Sequence, residues 1–92
     1  MSQFKVQVTL QAEALLGLIL NRNRSSNEDL QKRLTAFHTA IIDLKAGKNW
    51  IFAFESETLP EAYEFYEPPL KLIFKRIEEH KLLIFDIQEY TT

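Results

Sequence analysis

The chain has no cysteine, only two glycines, three prolines and two histidines in 92 residues. Without cysteine there is neither a disulfide framework nor a thiolate metal site, a composition suited to a reducing compartment. Gly17 and Gly47 stand alone, whereas a phosphate-cradling loop needs clustered glycines to let backbone amides approach the ligand. Long apolar runs are missing too. The richest, Ala14 to Leu20, lies between Glu13 and Asn21 and falls far short of the roughly 20 residues that cross a bilayer. The start shows no basic region, apolar stretch and small-residue cleavage site in series, so a cytoplasmic location is expected. His38 and His80 have no partner at metal-ligand spacing, and no metal or other cofactor is expected.

What the chain does have is enough apolar material for a core. Hydrophobic residues make up 46% and charged residues 26%, the balance of a folded globular protein. The length suits one domain over 1–92. The patterning predicts an α+β domain with about three strands in one sheet and helices packed on it, in the order β-α-α-β-α-α-β.

The opening QFKVQVTL alternates Phe4, Val6, Val8 and Leu10 with Lys5, Gln7 and Thr9, the period of a strand with one buried face. From Gln11 the period lengthens, and Ala14, Leu15, Leu18 and Ile19 mark a helix with an unusually wide apolar face. NRNRSSNEDL breaks it, since asparagine and serine side chains compete for backbone hydrogen bonds. Ser25 or Ser26 then caps a second helix, with Glu28 and Asp29 favouring its positive start. The apolar positions Leu30, Leu34, Phe37, Ile41 and Leu44 give its buried seam, and Gly47 its stop.

In NWIFAFE both alternating faces are apolar, which predicts a central strand. Thr58 to Tyr66 reads as a short helix ended by Pro68 and Pro69. The spacing of Leu70, Ile73, Phe74 and Ile77 predicts another helix, although LKLIF also fits a strand, with EEHK as the hairpin turn. KLLIFDIQEY is the last strand, with Leu83, Phe85 and Ile87 on one face and Ile84, Asp86 and Gln88 on the other.

Charge is unevenly spread. Residues 1–54 carry seven basic side chains against four acidic; 55–67 carry five glutamates and no base; 68–92 carry four of each. A short helix over the middle segment would turn Leu59, Ala62, Tyr63 and Tyr66 inward and leave Glu57, Glu61, Glu64 and Glu67 outward with Phe65 among them. Aromatics amid charges suit a surface that binds protein, where rings supply buried area and charges select. The expected function is therefore a small non-enzymatic interaction module, of the inhibitor, immunity, antitoxin or accessory-subunit kind. It would use residues 55–67 against another protein with a basic surface. The wide apolar face of the first helix and the FKVQV edge add the expectation of a homodimer.

Two alternatives follow from other residues. Arg22, Arg24, Lys32 and Arg33 gather round one loop, which would suit a nucleic-acid-associated regulator contacting phosphates through residues 22–33; nucleic acid is the less expected partner, because no aromatic interleaves with these cations and Glu28 and Asp29 stand close by. His80, with Asp86 or Glu79, is the remaining place where an enzymatic or ligand site would assemble from distant residues.

Overall fold

The computed structural model describes residues 3–47, 54–55 and 62–90, with only the backbone described at 54–55. It is an α+β structure in the order β1 (Lys5–Val8), α1 (Leu10–Arg22), α2 (Asn27–Ala46), β2 (Phe54–Glu55), β3 (Ala62–Glu67), β4 (Leu70–Glu78) and β5 (Lys81–Glu89). The strands form one sheet in the order β1-β5-β4-β3-β2. β1 lies parallel to β5, and the other neighbours are antiparallel. No described helix is long and apolar enough to cross a membrane.

The first half follows the sequence closely. Thr9 caps α1, its hydroxyl accepting from the Ala12 amide at 3.0 Å. Ser26 caps α2 by accepting from the Asp29 amide at 3.3 Å, with Glu28 and Asp29 in the positive first turn. Gly47 ends α2 in the left-handed region, at φ 72°, where a β-carbon would be strained. Ala36, Ala40 and Leu44 are buried on α2, with Phe37 and Ile41 packed beside them. The two alanines let the helix approach the sheet closely.

The second half departs from expectation. The two helices predicted over 58–66 and 70–77 are absent from the described residues: 62–67 and 70–78 are strands β3 and β4. Leu70, Leu72 and Phe74 are fully buried while Lys75 is exposed and Lys71 half-buried. That is period two. Ile73 also fits a helical spacing with Leu70 and Ile77, so the two periods share residues, and pairing with β3 and β5 decides between them. Pro68 and Pro69, joined by a cis bond, form the turn of the β3–β4 hairpin. Glu79 and His80 form the turn into β5.

Two further corrections concern placement. Phe54–Glu55, the described part of NWIFAFE, lies at the sheet edge, and β4 takes the centre. The other residues of that run lie outside the described residues, as do Glu57 and Glu61. On β5 the predicted alternation fails midway, because Phe74 pairs with Ile84 and Ile73 with Asp86. Phe85 is therefore a bulge, and it reverses the faces beyond it. Leu82, Ile84 and Ile87 are the buried residues that result.

The core joins both helices to one face of the sheet: Ala12, Ile19, Ala36, Ala40 and Leu44 meet Phe65, Leu70, Leu72, Phe74, Leu82, Ile84 and Ile87. A carboxylate holds one end of it. Glu89 of β5 lies 2.9 Å from Arg22 of α1 and 3.1 Å from Arg33 of α2, tying the two helices to the last strand.

Candidate functional site on the sheet face away from the helices

Alternation along β3 settles where its acids go. Phe65 points to the helices and is 3% exposed, packed in the core where an outward ring was expected. Its neighbours Glu64 and Tyr66 point to the opposite face, over which no described helix lies. Glu67 returns to the helix side. A helix would have put Glu64 and Glu67 together; a strand, with side chains at odd separations on opposite faces, parts them.

Cross-strand pairing builds this second face outward from Glu64 and Tyr66. Tyr66 pairs with Lys71, and Lys71 with Gln88; Glu64 pairs with Ile73, and Ile73 with Asp86. Glu64 accepts the Tyr66 hydroxyl at 2.9 Å and lies 3.2 Å from the Lys71 ammonium. The Tyr66 hydroxyl bond is the main influence that holds its carboxyl below the usual carboxylate range; burial opposes this, and Lys71 reinforces it. Lys71 also lies 5.8 Å from the centre of the Tyr66 ring. Tyr66 meets Tyr90 edge to face at 4.8 Å. Further along, Lys75 stands 5.4 Å from the Phe85 ring, and Gln88 donates to Asp86 at 2.9 Å.

This face sets lysines beside two aromatic rings, flanked by carboxylates, next to Ala62 and Ile73, which are buried on the same side at 0% and 5% exposed. Its ammonium groups and rings are preorganised by each other. Such an array can bury rings against a partner while its charges select orientation.

Glu67 occupies a different environment. It lines an open groove of about 550 Å³ between the hairpin turn and α2, with Gln31, Thr35, Thr39, Pro68 and Pro69. Burial pushes its carboxyl above the ordinary range, and the nearby charge of Asp43 adds to the effect.

The basic loop does not form a patch of uncommitted cations. Arg22 and Arg33 share Glu89, with Arg33 only 12% exposed, and Lys32 pairs with Glu28 at 3.4 Å. Arg24 alone of the four forms no ion pair among the described residues. His38 is exposed on α2, its ring edge-on to Phe37. His80 lies in the exposed β4–β5 turn against Phe4, on the rim of an open groove of about 450 Å³ with Lys5, Glu78 and Glu79. Asp86, proposed as its companion, is further along β5 and bonds to Gln88 instead. Among the described residues no three His, Asp or Glu side chains cluster as metal ligands would.

Sequence reasoning overlooked Lys71, Tyr90 and Asp86 as neighbours of Glu64 and Tyr66. The signal was present in LKLIF, where lysine and isoleucine alternate with Leu70, Leu72 and Phe74. Taken as a strand, that run places Lys71 on the face of Tyr66.

No protein-family model and no curated protein matches the sequence. Solved structures do match. A chain of the chromosomal ParDE TA system from P. aeruginosa superposes with a TM-score of 0.73 at 18% identity, covering 97% of this chain and 98% of that one. A chain of the toxin-antitoxin complex RelBE2 from Mycobacterium tuberculosis superposes with a TM-score of 0.62 at 14% identity, covering 100% and 97%. The chain thus shares its small α+β fold, nearly end to end, with chains of toxin-antitoxin systems.

Proposed function

We propose that the chain works by binding another protein, as one member of a two-protein assembly of the toxin-antitoxin kind, without catalysing a reaction itself. The observation that carries this reading is the likeness in fold over nearly the whole length of both chains. The exposed part of the second face, around Tyr66, Gln88 and Lys75, supports it, because rings and charges there hold one another in a surface suited to protein contact. The expected partner-binding segment, residues 55–67, contributes Glu64 and Tyr66 to that face; Phe65 supports them from the core, and Glu67 borders the α2 groove. Glu57 and Glu61 belong to the same proposed partner-binding segment and lie outside the described residues. The complementary partner surface is basic, meeting Glu64 and Asp86, with recesses for Tyr66 and Tyr90. In this reading the protein acts in the cytoplasm and also pairs with its own copy.

The test is co-purification of the tagged chain from its native host, with identification of the bound protein and reconstitution of the complex. Tyr66→Ala and Asp86→Lys should each weaken that complex by at least about tenfold, as expected of an aromatic anchor and a facing charge. Growth gives a second readout: a component of such a pair either arrests its host when induced alone or, induced together with its partner, relieves the arrest the partner imposes. A chain that captures nothing and leaves growth unchanged in both settings would overturn the reading.

A further inference from the structure

Glu67 is a half-buried carboxylate on the helix side of β3, and among the described residues its side chain has neither a hydrogen bond nor an ion pair. Burial disfavours its charged form, and the charge of Asp43 adds to the penalty. Lys32, the one cation lining the same groove among the described residues, is held 3.4 Å from Glu28. The neighbouring sequence offers no other, since residues 49–69 hold no lysine, arginine or histidine. An acid whose charge opposes folding is a local conflict of the kind that binding sites keep.

The groove around it, of about 550 Å³, is lined for a donor with an apolar stem. On α2, Gln31, Thr35 and Thr39 offer side-chain oxygens beside the buried Ala36, and Pro68 and Pro69 of the hairpin turn line it as well. The side chains of Gln31, Thr35 and Thr39 also have no hydrogen bond among the described residues. The prolines add apolar surface and no backbone N–H. The α2 lining runs from Asn27 to Thr39, about 18 Å at 1.5 Å per residue, which is the reach of about five extended residues.

We infer that this groove seats an arginine of the partner protein, carried on a short segment that lies along α2, with the guanidinium at Glu67. An acidic segment would be repelled there, and a neutral one would bury Glu67 further while leaving it unpaired. A guanidinium meets both demands. It is planar, carries donors only, so that one group serves the carboxylate and the threonine hydroxyls together, and is more weakly hydrated than an ammonium, while its stem packs on the prolines. The inference rests on the reading that the chain binds another protein with a basic surface, and it names the group that surface must carry.

The test is an NMR titration of the full chain with the blocked pentapeptide acetyl-Ala-Ala-Arg-Ala-Ala-amide, beside versions carrying lysine or citrulline at the centre. Citrulline keeps the shape of arginine without its charge. The arginine peptide should shift the amide signals of Gln31, Thr35, Thr39 and Glu67 together, with a Kd of about 1–10 mM. The lysine version should bind at least about threefold more weakly, and the citrulline version at least about tenfold. Glu67→Gln, which removes a charge that opposes folding, should keep the fold and weaken the arginine peptide about tenfold, whereas Glu13→Gln on α1 should change nothing. No shift at Thr35, Thr39 and Glu67 by about 20 mM, lysine or citrulline bound as tightly as arginine, or indifference to Glu67→Gln overturns the inference. Because the peptide needs no partner, the two readings fail separately: peptide binding with no protein captured from the host counts against the partner reading alone, and a captured protein with no peptide response counts against the groove alone.

Discussion

Removing the Glu89 carboxylate is the sharpest test of how the described elements hold together. It accepts from Arg33 Nε at 3.2 Å and lies 3.1 Å from Arg33 Nη2 and 2.9 Å from Arg22 Nη2; the Asn23 amide lies 3.5 Å away. The two arms are unequal. Arg22 is 64% exposed, so its arm is a surface ion pair contributing about 0–1 kcal/mol. Arg33 is 12% exposed, and hydrogen bonds to such a charged group contribute about 1.5–3 kcal/mol. Glu89→Ala leaves Arg33 with the Asp29 carbonyl at 3.0 Å and the Asp29 carboxylate at 4.0 Å. The guanidinium keeps part of its compensation, so the loss should fall short of the 3–5 kcal/mol typical of stranding a fully buried charge. We expect Glu89→Ala to lower stability by about 2–3 kcal/mol, or about 10–20 °C in Tm for a domain of this size. Arg22→Ala should lower it by about 1 kcal/mol or less. Urea unfolding followed by circular dichroism measures both. A Glu89→Ala variant within about 0.5 kcal/mol of the parent, or an Arg22→Ala loss equal to that of Arg33→Ala, would refute the assignment of Arg33 as the principal arm.

Phe65→Ala should act on folding, losing about 3–5 kcal/mol as a large buried ring is removed, whereas Tyr66→Ala should leave the urea midpoint much closer to the parent while weakening partner binding. Glu67 gives a pH signature of definite sign. Its folded pKa is raised, so ionisation opposes folding, and that penalty fades as pH falls through the raised value toward the ordinary carboxylate range. Glu67→Gln should therefore stabilise the protein at pH 7 and make little difference near pH 3. Glu64 has the opposite sign: its depressed folded pKa supplies stability that is present above the ordinary carboxylate pKa and is lost as pH falls through the folded value. Tyr66→Phe, which deletes the principal hydrogen bond to Glu64, should raise its pKa in an NMR titration. Gly47→Ala should lower stability by about 1 kcal/mol, because its φ of 72° disfavours any β-carbon.

Where residues within one turn of each other decide the outcome, the sequence alone was sufficient. Ser26 accepting from Asp29, Gly47 closing α2 and the alternation of Phe4, Val6 and Val8 are local matters, and the strand, two helices and final strand follow from them. The uncommon exposure on α1 was also legible, as too many leucines for one buried stripe. Between 62 and 78 the residues satisfy both periods, and only pairing across the sheet made them strands. That choice sent Glu64 and Glu67 to opposite faces and drew Phe65 inward, because strand side chains alternate while helical ones at three and four residues coincide. Glu89 could not be matched to Arg33 from the sequence, since 56 positions separate them and their meeting depends on how α2 crosses the sheet. The bulge at Phe85 is likewise a product of register with β4, so the faces of β5 were fixed by the neighbouring strand rather than by its own pattern.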